Sequence, residues 1–319
     1  MACSGNRETM EPMSDARHPR HASRPPRVLT AALPIGLAVT ALGALWALTD
    51  APPADDVAPP VPMVAAQLPG VDRTTVDAVD PCAEPAVMDA LASGDDEAVI
   101  SAFGGGTAFR DAVAARNAPC ISLTDPARRW VVVNKASAVA PAEFEPEGLI
   151  EAPIRTTTPS RLIREDAATA LGAMAAELET SGAGAIGMNN AYRSYQLQVS
   201  NYAGQVSSQG QEAADLASAR PGFSEHQTGL AVDVVACGDG CGEIGAFGGT
   251  TESEWIAAHA WKHGFIVRYE TGATGTTGYE PEPWHLRYVG PALASAYHEG
   301  GFHSLEEFFG LPAAPDYAH

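Results

Sequence analysis

Apolar and polar positions change period several times in the second half of this chain. Arg129–Asn134 ("RWVVVN"), Ala185–Arg193 ("AIGMNNAYR"), Gly229–Val235 ("GLAVDVV"), Phe265–Tyr269 ("FIVRY") and Trp284–Val289 ("WHLRYV") are short apolar runs, the pattern of strands. Between them Leu162–Gly182 carries its apolar residues at helical spacing and closes on Gly182. Ser194–Ser208 predicts a second helix, and Thr251–Gly264 a third, opened by a Thr251/Glu254 capping box and stopped by Gly264. Helices and strands mix without regular βαβ alternation. The expected fold is therefore α+β, a small antiparallel sheet flanked by helices.

The first half divides differently. Residues 1–27 are polar and carry five arginines; Val28–Leu48 then runs without a charge, long enough for the ~20 apolar residues that span a bilayer. Arginines on one flank and acids on the other predict a single-pass anchor with the rest of the chain extracytoplasmic, a secreted protein with a cleaved signal being the alternative. Residues 49–70, rich in Pro and Ala, read as an extended linker. Residues 71–128 show helical patterns at Pro85–Ala92, Asp95–Phe103 and Ala108–Asn117 and form an N-terminal extension with no evident chemistry. The remainder, 129–319, is the expected main domain.

Two compositional facts sharpen this picture. Beyond the proposed anchor the cysteines are Cys82, Cys120, Cys237 and Cys241, an even number suited to an oxidising compartment, with local pairing Cys82–Cys120 and Cys237–Cys241 expected. The chain holds 19 Lys and Arg against 39 Asp and Glu, of which five and three fall in residues 1–27, so the remainder carries a net −22. Such a surface repels nucleic acid and is chiefly solubilising. A monomer is expected.

The candidate chemistry lies in two motifs. "SEHQTGLAVD" holds His226 and Asp233, and "EPWHLRYVG" holds Glu282 and His285. If Gly229 turns the chain into a strand, Asp233 shares a face with Ala231 and Val235 while Leu230, Val232 and Val234 pack on the other side. A carboxylate in so apolar a strand needs a partner, and His226 stands just before the turn. Two imidazoles and one carboxylate, His226, Asp233 and His285, are a suitable tetrahedral zinc set with the fourth position open. Pro283 keeps the Glu282–His285 backbone extended, and Glu282, left spare, is suited to act as the general base. The remaining histidines read as core or surface imidazoles.

Both motifs, in order, resemble the signature of the VanY-type zinc D-alanyl-D-alanine carboxypeptidases, and the resemblance runs from about Trp130 to Gly290 through "AYRSYQLQ". It implies zinc on His226, Asp233 and His285, Glu282 as base, and Arg193 stabilising the developing oxyanion. It further implies that Gln198 and Ser224 bind the terminal residue and that Tyr269 borders it, although Glu270 stands where the family usually has proline. The implied reaction is removal of the C-terminal D-Ala from peptidoglycan stem peptides. An endopeptidase or L,D-carboxypeptidase with the same zinc site, and a non-catalytic cell-wall binding module, are the competing readings.

Overall fold

The computed structural model describes residues 80–317. The polar tail, the apolar run 28–48, the linker and Cys3 lie outside the described residues; within them no helix is long and apolar enough to cross a membrane.

Three short helices open the described chain: α1 (Pro85–Ser93), α2 (Asp96–Ala102) and α3 (Gly106–Ala114). Proline at the first turn and Gly94 in the left-handed region bound α1, while the Asp95 carboxylate caps α2 by accepting from the amides of Glu97 and Ala98. Next come the hairpin strands β1 (Leu149–Glu151) and β2 (Leu162–Arg164), then α4 (Glu165–Thr180). Leu162–Arg164 was expected inside the helix; it pairs with β1 instead, and the helix starts at the acidic pair Glu165 and Asp166. The buried residues of α4, Ala167, Ala168, Leu171, Met174 and Leu178, form one stripe at helical spacing.

The remaining elements are β3 (Ala185–Asn190), α5 (Tyr195–Gln209), α6 (Gln211–Ala217), β4 (Ala231–Cys237), α7 (Thr251–His259), β5 (Phe265–Tyr269), α8 (Thr274–Thr277), β6 (Glu282–Tyr288), α9 (Pro291–Glu299) and α10 (Leu305–Phe308). Strands β3, β4, β6 and β5 lie in that order in one antiparallel sheet. The cap of α7 is Thr250, whose hydroxyl accepts from Ser253, rather than Thr251: the hydroxyl must precede the first helical residue to reach the free amides of that turn.

Two apolar clusters sandwich the sheet, so that Phe265 joins the one built on Leu171, Met174 and Val232 while its neighbour Ile266 joins the one built on Val99, Phe109, Trp130 and Phe308. The second cluster needs α2 and α3. The segment expected as an extension thus packs with the rest, and the described residues form one unit. Of Arg129–Asn134, expected as a strand, Arg129 and Trp130 lie in a turn, and Val131–Val133 are buried without joining the sheet. The segment's backbone is satisfied otherwise: Val132 donates to the Leu123 carbonyl, and the Arg287 guanidinium donates to the carbonyls of Arg129 and Val131. Disulfides join Cys82 to Cys120 and Cys237 to Cys241.

Candidate active site

The loop before β4 does the first positioning. Glu225–Thr228 form a single 3-10 turn that ends on Gly229 at φ 68°, a left-handed conformation that glycine adopts without penalty. This reversal sets His226 beside the start of β4, where its Nε2 lies 3.2 Å from Asp233 Oδ2. The other ring nitrogen, Nδ1, lies 2.8 Å from the Ala191 carbonyl. A carbonyl only accepts, so Nδ1 carries the proton and Nε2 turns its lone pair inward.

Strand pairing supplies the second histidine. Asp233 and His285 stand directly opposite in the β4–β6 register, and His285 Nδ1 lies 3.0 Å from Asp233 Oδ1. The two imidazoles meet edge-on with centroids 4.9 Å apart. One ligand atom from each of His226, Asp233 and His285 falls within 4.8 Å of the others, and all three residues are buried. Burial alone would raise the Asp233 carboxyl, but His226 and His285 hold it well below the usual carboxylate range. Two inward nitrogens and an ionised carboxylate fit a zinc ion by donor chemistry.

Glu282 reaches the same cleft, with Oε2 3.7 Å from His285 Nδ1. Burial pushes its carboxyl up to about 7, His285 opposing the shift and the Asp233 charge adding to it. Arg193 is half-buried, with its Nε shut off from solvent. Its backbone amide donates to the His226 carbonyl, its Nη1 donates to Gln198 Oε1 at 2.7 Å, and its Nε finds no partner among the described residues. A buried guanidinium donor without an acceptor is costly unless something arrives to meet it.

The expected substrate residues fare differently. Ser224 and Tyr269 line the cleft of about 600 Å³ that contains Arg193, Glu282 and the three candidate ligands. Ser224 makes no capping bond to the turn it precedes. Gln198 does not join them: it is fully buried on α5, its Oε1 taken by Arg193 and its Nε2 donating to Ala219 and Ser218. It braces Arg193, and its amide has nothing free to offer a substrate.

Glu225 also lines the cleft, a residue that neither motif singles out. This fully buried carboxylate accepts from Arg268 Nε at 3.0 Å and Arg287 Nη1 at 2.7 Å, while its Oε2 lies 3.3 Å from His285 Nε2. Arg268 forks onto Glu306 of α10, at 2.8 and 3.0 Å. A signal was present. "FIVRY" and "WHLRY" each carry an arginine inside an apolar strand, and a buried guanidinium requires a carboxylate.

Known proteins similar to this chain identify its family. The family model described as VanY, D-alanyl-D-alanine carboxypeptidase, matches residues 160–291, a span that includes every candidate ligand, Glu282 and Arg193. YodJ of Bacillus subtilis (strain 168), named for a carboxypeptidase activity, is 38% identical over 194 residues, covering 59% of this chain and 69% of that protein. A D-alanyl-D-alanine carboxypeptidase of Enterococcus faecium is 40% identical over 87 residues, 27% of this chain and 26% of the relative. Among solved structures, the LdcB LD-carboxypeptidase superposes with a TM-score of 0.54 at 37% identity, covering 58% of this chain and 87% of that one. With its paired motifs gathered in one buried cleft and these relatives beside it, the chain belongs to the VanY family of carboxypeptidases, which are metallopeptidases.

Proposed function

We propose that this carboxypeptidase is zinc-dependent and removes one C-terminal D-amino acid from peptidoglycan stem peptides. The carrying observation is the convergence of His226, Asp233 and His285 within 4.8 Å beside Glu282 and Arg193 in one cleft. When bound, zinc would polarise the scissile carbonyl and acidify the attacking water. Glu282 takes the proton from that water and returns it to the departing amine, work suited to a buried carboxyl whose affinity for protons is raised toward neutrality. Arg193, held by Gln198 with Nε still free, meets the oxygen that gains charge as the carbonyl becomes tetrahedral. Ser224 and Tyr269 border the terminal residue.

A D,D-carboxypeptidase acting on pentapeptides ending in D-Ala-D-Ala is the first reading, from the family description. The LdcB likeness favours a second, an L,D-carboxypeptidase acting on tetrapeptides, since LdcB bears that activity in its name. Mass-spectrometric identification of products from a stem pentapeptide and a stem tetrapeptide separates them. Loss of one residue from the pentapeptide alone supports the first, and loss from the tetrapeptide alone the second. In the same assay His285→Ala loses zinc and activity together; full zinc occupancy in that variant contradicts the ligand set.

We further propose that residues 28–48 anchor the enzyme with its catalytic part outside the cytoplasm, where peptidoglycan lies. The arginine-rich flank supports this orientation, and the two disulfides suit an oxidising compartment.

A further inference from the structure

The two candidate histidine ligands differ in what holds their outer nitrogens. His226 Nδ1 meets a backbone carbonyl, Ala191, whereas His285 Nε2 meets a carboxylate, Glu225. That carboxylate is itself immobilised. Its Oε1 is shared by Arg268 and Arg287; Arg268 is also forked onto Glu306, and Arg287 spends its remaining donors on the carbonyls of Arg129, Val131 and Tyr288. All four charged side chains are fully buried and their charges cancel in pairs. Glu225 therefore cannot swing away from His285 without leaving Arg287 with no carboxylate partner and Arg268 with one of its two.

From this geometry we infer that Glu225 is a positioning residue for the metal centre, fixing His285 as the tautomer that presents Nδ1 to the metal. The inference rests on the zinc reading above. An ionised carboxylate between two guanidinium groups is an acceptor only, so the proton of His285 sits on Nε2 and the Nδ1 lone pair faces Asp233 and His226. Glu306 stands outside the span 160–291 that matches the family model, so a residue of the C-terminal helix braces the centre through Arg268.

The isosteric change Glu225→Gln tests this. A glutamine that keeps its oxygen toward the arginines must turn its NH2 toward His285 Nε2, which donates already; either that contact becomes repulsive or the imidazole changes tautomer and blocks Nδ1. Partners of this kind set metal affinity by roughly 10–100-fold. The measurement is zinc affinity by chelator competition on the full-length protein, wild type and Glu225→Gln, with 15N-histidine spectra of the zinc-loaded wild type. The expected result is a 10–100-fold weaker zinc affinity in the variant, and in the wild type a His285 whose Nδ1 resonance is shifted by metal and whose Nε2 proton is protected from exchange. Equal affinities overturn the inference, as does a His285 metallated through Nε2, and the wild-type spectrum decides even if the variant fails to fold. A wild type that binds no zinc overturns the zinc reading, and the inference with it.

Discussion

Glu282 stands three residues before His285, a spacing that on a regular strand sends two side chains to opposite faces. The β5–β6 register resolves this: Val267 pairs with Leu286, so an unbroken ladder would pair Tyr269 with Trp284, but Tyr269 pairs with Glu282. This irregularity re-aims Glu282 into the cleft. Glu282→Ala is expected to keep zinc and the fold while losing ~10²–10⁴-fold in kcat, read by steady-state kinetics beside metal analysis; near-normal kcat would move the base elsewhere. The paired motifs made the three candidate ligands and Glu282 legible as residue types at fixed spacings. The part played by Gln198 was not legible, because whether an amide faces a substrate or a buried guanidinium is decided by packing between α5 and the segment that follows α6. Glu225 was missed because its partners, Arg268 and Arg287, lie more than 40 positions away in sequence.

Elements were legible where local chemistry decides them. Local signals suffice for α1, α2 and α5 and for the body of α4, though not for its start, which the β1–β2 pairing sets, and the apolar runs suffice for β3, β4, β5 and β6. Val131–Val133 carries the same kind of run yet makes no ladder, since its carbonyl partner is the Arg287 side chain and not a neighbouring strand. Such a choice is tertiary. The turn at Gly229 is the element on which ligand alignment depends: at φ 68° its added Cβ would also stand 3.1 Å from Arg164, Leu149 and Pro146 side-chain atoms. Gly229→Ala is therefore expected to cost about 1–2 kcal/mol for the left-handed backbone alone, with further loss from crowding. Urea denaturation reads the first effect, and a fall in zinc affinity reads the displacement of His226 relative to Asp233. Unchanged values for both would show that the turn does not set the site.

At the scale of the molecule, two apolar clusters and one buried ionic layer hold the sheet, and the N-terminal helices belong to that assembly. Burial pushes the Glu306 carboxyl up, but its ion pair and hydrogen bonds with Arg268 outweigh this and leave it below its ordinary value. A depressed folded-state pKa gives stability that is fully present above the unfolded value, about 4.3, and is lost as pH falls through the folded one. Stability should accordingly drop as acid is added below pH ~5. Glu306→Gln, which leaves Arg268 short of a counter-charge, is expected to cost about 3–5 kcal/mol at neutral pH and to flatten that acid dependence. Urea midpoints measured across pH check both; an identical pH dependence in the two proteins would remove Glu306 from the account.

The central claim is that the cleft reads a free C-terminus and removes one residue from it. In the proposed reading Arg193 meets the scissile carbonyl oxygen and Ser224 offers its hydroxyl to the terminal residue; if the cleft is matched to a carboxylate there, an amide cap is a mismatch of the kind that in hydrogen-bonded pockets reaches ~10⁴-fold. The direct measurement is the rate and product mass for a stem peptide ending in a free D-alanine and for its C-terminal amide, with the zinc-loaded full-length protein. The account predicts loss of a single D-alanine from the free acid and very slow cutting of the amide. Comparable rates on the two, or cleavage at an internal bond of both, would contradict it.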